Sequence, residues 1–120
     1  MTEPPVRTIH LVETERIVPH GAARSTWLIR LRDGWTRASE WPGASVEKRD
    51  AGPGTVWERV VTLAAPAGTE LVRVETRPRA RSARDPLSYL ENPTKGPALT
   101  TLRTGYRIDV GGRVRPVHKP

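Results

Sequence analysis

Turn-forming residues divide this sequence into short segments, and that division limits the folds it can adopt. The 120 residues include 10 Gly and 12 Pro. Between these residues lie runs that are rich in β-branched side chains or that alternate apolar with polar ones, as strands with one buried face do. Such runs, following one another at short intervals, predict strands joined in hairpins.

The most regular of these runs is residues 26–32, in which Trp27, Ile29 and Leu31 point to one side. Residues 55–64 also fit helical spacing, but five of the ten are Val or Thr, which favours a strand. The predicted strands are residues 8–18, 26–32, 35–41, 55–64, 70–77, 106–110 and 113–117, with 45–49 and 98–103 as weaker candidates.

One short helix is predicted near residues 85–91. Asp85 can cap the free amides of the first turn, Pro86 suits the first helical position, and Asn92 and Pro93 end the segment. About seven short strands in hairpins with one helix predict a mainly β fold, either a small antiparallel barrel or a sandwich.

Asp33 and Gly34 form a strong signal for a two-residue hairpin turn. This turn would place Arg32 opposite Trp35, which allows a cation–π contact, and Arg30 opposite Arg37. Like charges directly opposite each other are unfavourable. The sequence therefore predicts either a longer loop or an anion on that face.

A second hairpin is predicted around Gly111 and Gly112. A three-residue loop over residues 111–113 sets Val110 opposite Val114, whereas a two-residue turn sets it opposite an arginine. Because the hydrophobic pattern specifies register, the three-residue loop is the preferred prediction.

The apolar content predicts a single domain with a thin core. Val, Ile and Leu number 25, and Phe is absent. Trp27 and Trp57 are therefore expected in the core, and a partner or self-association is expected to add burial. The predicted organisation is a flexible tail at residues 1–6, one β-rich domain at 7–117 and a flexible tail at 118–120.

No residue constellation predicts catalysis, a cofactor or a small-molecule substrate. The chain has no Cys, and its three His share no metal-ligand spacing, so no metal site is expected. Glu13 and Glu15 project together from one strand, and such a pair is interpreted as a solvated strand face. We expect a protein that is not an enzyme.

The N-terminal residues carry no charged-then-apolar pattern of a secretion signal, and no apolar run approaches the ~18 residues of a membrane span. The expected location is the cytoplasm, or a particle assembled inside the cell, with no membrane partner.

The chain is strongly basic, with a net charge of +7. Arginine supplies 17 of the 20 basic residues, and its planar guanidinium suits phosphate contacts. Charge together with exposed aromatic rings is typical of proteins that bind nucleic acid without sequence preference. The residues predicted to bind nucleic acid are Arg32, Trp35, Arg37, Arg77, Arg79, Arg81 and Arg84.

Two functions remain open from the sequence. The first is a basic binding module for nucleic acid or another polyanion, favoured by the charge excess. The second is a protein-interaction or assembly subunit of a virion, a secretion apparatus or an inhibitor complex, completed by its neighbours. A GC-rich genome also produces Arg-rich, Lys-poor chains, which weakens the arginine preference as support for the first.

Overall fold

The computed structural model describes residues 3–19, 21–78 and 99–117. Strands account for 71% of these residues, which confirms the predicted mainly β fold. A short 3-10 helix spans Ala38–Glu40. The predicted helix at 85–91 lies outside the described residues. The strands are β1 (Val6–Val18), β2 (Gly21–Leu31), β3 (Gly34–Arg37), β4 (Ser45–Arg49), β5 (Thr55–Pro66), β6 (Glu70–Pro78), β7 (Leu99–Ile108) and β8 (Val114–Pro116).

All the strands belong to one antiparallel sheet, in the order β4-β5-β1-β2-β6-β7-β8, with β3 also paired to β2. The sheet curls into a half-barrel, which corresponds to the first of the two predicted alternatives, a small antiparallel barrel or a sandwich. The strand predicted at 55–64 is present as β5, so β-branched content outweighed the helical spacing in this segment.

One edge of β2 is shared by two strands. Its first part, Gly21 to Ser25, pairs with β1, and its last part, Leu28 to Leu31, pairs with β3. Along its other edge, β1 pairs with β5 from Val6 to Arg16, whereas its pairing with β2 is confined to residues 14–18. The strands β1 and β2 therefore part after their hairpin, and the core fills the space where they have separated.

The core is mainly aliphatic. Trp27 belongs to it, but Trp57 is only half-buried and carries the Arg59 guanidinium over its ring at 5.0 Å. The expectation that Trp57 lies in the core was wrong, because its indole is exposed enough to stack on that cation. The buried core residues are Ile9, Leu11, Trp27, Ile29, Ala38, Val61, Leu63, Ala65, Leu71 and Ile108.

The β2–β3 hairpin differs from the predicted register. Leu31 pairs with Gly34, so Arg32 and Asp33 form the turn, and Arg30 lies opposite Trp35. Arg32 has a positive φ of 57°, which favours this turn over the predicted one. The like-charged pair is thereby avoided, and the Arg30 guanidinium lies 5.7 Å from the Trp35 ring centroid.

The C-terminal hairpin also differs from its prediction. Residues 99–108 form one strand rather than two, and Ile108 pairs with Val114. The loop is longer than three residues because the Asp109 carboxylate accepts a hydrogen bond from the Arg113 amide at 2.8 Å and pairs with Arg115. Val110 is consequently 73% exposed rather than packed in the ladder.

Candidate functional site

A groove with a volume of about 490 Å³ lies along β1, β2 and β6, and we call it the arginine groove. Its shape follows from the curl of the sheet, which brings strands that are distant in sequence to one concave side. Its lining residues are His10, Leu11, Val12, Thr14, Arg16, Ala23, Arg24, Ser25, Trp27, Arg73, Glu75, Arg77, Tyr106 and Val114.

Strand register places the β6 side chains in this groove. Ser25 lies opposite Glu75, and Trp27 lies opposite Arg73. Partners across an antiparallel ladder project from the same face, and alternate residues of a strand share that face. Arg73, Glu75 and Arg77 therefore form a row on the side of the sheet that carries Trp27.

Aromatic side chains form the apolar part of the groove. Trp27 and Tyr106 contact edge to face, with ring centroids 4.9 Å apart and an interplanar angle of 62°. The Trp27 indole also donates to the Val12 carbonyl at 3.2 Å and is only 9% exposed. This ring is therefore a rigid part of the groove wall rather than a free stacking platform.

The groove is basic. Its lining includes four arginines, and Glu75 is its one acidic residue. Arg73 is held in place because its Nε donates to Ser25 Oγ at 3.1 Å and its Nη2 lies 3.1 Å from Glu75 Oε1. Arg24 pairs with Glu15 at 2.8 Å and projects from the face of β2 opposite to Trp27, so it lines only the rim of the groove. Arg16 has no acidic partner within 4 Å among the described residues.

The predicted site residues fall into two groups. Arg77 lines the arginine groove, whereas Arg79, Arg81 and Arg84 lie outside the described residues. Arg32, Trp35 and Arg37 lie on the β2–β3 hairpin.

The ladders also show which of these residues share a face. Trp35 and Arg37 are opposite Arg30 and Leu28, which project from the face of β2 opposite to Trp27. The structure therefore does not bring Trp35 and Arg37 together with Arg77.

A second cavity, of about 380 Å³, lies beside Glu13 and Arg37. Glu13 is 2% exposed, and its carboxylate accepts hydrogen bonds from the Trp27 amide and from Arg59 Nε, each at 2.7 Å. The Trp27 amide lies between the β1 and β3 ladders of β2, so Glu13 supplies the acceptor that no strand provides. The prediction of a solvated face is wrong for Glu13.

Sequence reasoning missed Arg16, Arg73, Glu75 and Tyr106 as groove residues. A signal existed for β6, because the alternation of Arg73, Glu75 and Arg77 in a predicted strand places all three on one face. No local signal existed for Arg16, since its position across the groove depends on strand pairing.

Comparison of the sequence with known protein families, with curated proteins and with solved structures finds no match. In the described ranges, no three His, Asp or Glu side chains cluster as metal ligands would. None of the helical structure in those ranges is long and apolar enough to span a bilayer.

Proposed function

We propose that this protein is a non-enzymatic binding module that holds nucleic acid, or a polyanion of similar charge density, along the arginine groove. The observation that carries the proposal is the convergence of Arg16, Arg73 and Arg77 on one concave surface, where Glu75 is the one acidic residue of the lining. In the sequence, Arg77 is followed by a run that contains Arg79, Arg81 and Arg84, which lie outside the described residues.

The groove chemistry favours contacts to the phosphate backbone. Arginine binds phosphate oxygens through two parallel N–H donors. Arg16 and Arg77 lie on β1 and β6 with β2 between them, so their Cα atoms are separated by roughly 10 Å, and they contact successive parts of a polymer. Because Trp27 is nearly buried, base stacking contributes little. We therefore expect little sequence preference.

The test is fluorescence anisotropy with labelled single-stranded and double-stranded oligonucleotides across a salt series. The double variant Arg16→Gln/Arg77→Gln removes two groove charges. The control, Arg30→Gln/Arg103→Gln, removes two charges from the opposite face of the sheet. For a single strand, the groove variant should lower the magnitude of the log–log salt slope by roughly 1.4, if each arginine neutralises one phosphate.

No binding at low salt, where electrostatic attraction is strongest, would reject the proposal. An equal loss of affinity in the groove variant and in the control would assign the binding to general charge rather than to the groove. Replacing Arg77, Arg79, Arg81 and Arg84 by Ala tests whether the arginine run extends the site, because affinity should then fall further.

An assembly subunit is the second candidate function, and one observation favours it. Leu28, Val72 and Val74 project from the face opposite the groove, in the central strands β2 and β6, and remain only half-buried. Such a face in central strands is usually polar or covered. Light scattering across protein concentrations tests self-association, which should be nearly insensitive to salt if this apolar face forms the contact.

A further inference from the structure

We infer that Glu75 is a specificity-determining residue that makes the arginine groove select polymeric anions over small ones. This inference rests on the proposed function and narrows its ligand class. It follows from the position of the carboxylate, which lies between the arginines that a phosphate group would need to contact.

The Glu75 carboxylate already bridges two arginines. Its Oε1 lies 3.1 Å from Arg73 Nη2, and its Oε2 lies 3.9 Å from Arg77 Nη2. These three residues form the row on β6, so the carboxylate takes the place of an anion shared by both guanidinium groups. A small anion that binds there must displace Glu75 and then remain beside its negative charge.

The two ion pairs differ in strength. The side chain of Arg73 is 40% exposed and is tethered at Nε to Ser25 Oγ at 3.1 Å, so it is held against Glu75. The side chain of Arg77 is 72% exposed and its contact with Glu75 is longer, so it is the arginine that an incoming anion releases first.

A polymeric anion makes contacts in the groove that a small anion cannot make. It binds the released Arg77 and also reaches Arg16 across the groove, while the pair between Arg73 and Glu75 stays intact. Its affinity is spread over several contacts, and the repulsion from Glu75 affects only one of them. An inorganic diphosphate has no second contact that compensates for this repulsion. Glu75 therefore lowers the affinity for small anions more than the affinity for polymers.

The experiment compares the full chain with Glu75→Gln and with the control Glu70→Gln, using pyrophosphate and a single-stranded 20-mer in calorimetric titrations at low salt. Glu70 lies on the same strand and pairs with Arg107 at 3.8 Å, so the control makes the same change in net charge outside the groove. Glu75→Gln should raise the pyrophosphate affinity roughly fivefold, the effect of removing one like charge about 4 Å away. The oligonucleotide affinity should rise less than twofold.

Equal gains for both probes, or no gain for pyrophosphate, would overturn the inference even if the wild type binds the oligonucleotide. A wild type that binds no oligonucleotide rejects the proposed function and the selectivity for polymers with it. If Glu75→Gln alone then raises the affinity for pyrophosphate, the result would still show that the Glu75 carboxylate occupies the place of a bound anion between the two arginines. If Glu75→Gln does not fold, Glu75→Asp replaces it, because the shorter carboxylate withdraws from Arg77 and should give a smaller gain with the same ranking of probes.

Discussion

Replacement of Glu13 tests whether this buried carboxylate stabilises the fold. The carboxylate is 2% exposed and accepts from the Trp27 amide at the point where β1 and β2 separate. Replacement by alanine leaves that amide buried and without an acceptor. It also leaves Arg59 without its partner, which lies 2.7 Å away.

The size of the effect follows from these contacts. An unsatisfied buried amide costs about 1–3 kcal/mol. Breaking a buried ion pair costs about 3–5 kcal/mol, but the Arg59 side chain is 32% exposed and regains water, so its share is smaller. We expect Glu13→Ala to lower the free energy of unfolding by about 3 kcal/mol, and Glu13→Gln by less, since its amide oxygen still accepts from Trp27.

The matched control is Glu15→Ala, two residues along the same strand. Glu15 pairs with Arg24, whose side chain is 57% exposed, so its loss should cost at most about 1 kcal/mol. Urea denaturation followed by tryptophan fluorescence measures both variants. Equal destabilisation by the two replacements would refute the idea that Glu13 completes the hydrogen bonding between the strands.

Three further perturbations test the hairpins. Arg32→Gly should raise stability by about 1 kcal/mol in urea denaturation, because glycine adopts the positive φ of 57° without steric cost, and a loss would contradict this turn. Ile108→Ala should lower the free energy of unfolding by about 2–5 kcal/mol, and Val110→Ala by less than about 0.5 kcal/mol. The reverse ranking would support the predicted register, in which Val110 pairs with Val114. A hydrogen bond from the Arg113 amide, which has the larger effect, and one from the Arg115 side chain hold the pKa of Asp109 below its ordinary value of 3.8. The ionised Asp109 carboxylate should therefore stabilise the loop above pH 3.8, and this contribution should be lost as the pH falls through the lowered pKa of the folded state. An NMR titration that places the pKa of Asp109 at or above 3.8 would contradict this.

Local patterns were sufficient to predict most of the strands and the faces of the hairpin ladders, but residues 38–40 of the predicted strand 35–41 form a 3-10 helix, and residues 99–108 form one strand. In the β2–β3 hairpin, the predicted partner of Arg30 was Arg37 and the observed one is Trp35, a difference of two residues. In the C-terminal hairpin, the predicted partner of Val114 was Val110 and the observed one is Ile108, again a difference of two. Side chains alternate with a period of two, so each shift leaves the residues that remain in the ladder on their predicted faces.

The registers themselves depended on turn geometry that the pattern does not encode. In the first hairpin, a left-handed Arg32 moved the turn by one residue. In the second, the Asp109 carboxylate satisfied loop amides and lengthened the loop. These are contacts of single side chains, whereas the hydrophobic pattern is satisfied equally well by either register.

By itself, the sequence determined a basic, mainly β chain whose strands alternate buried and exposed side chains, because these properties depend on neighbouring residues. The tertiary structure decided which strands meet. It buried Glu13 against Arg59, 46 residues away, and it placed Arg16 across the groove from Arg77. It also separated Trp35 from Arg77 by putting them on opposite faces. Such placements depend on pairing between distant strands, which a pattern within one strand cannot specify.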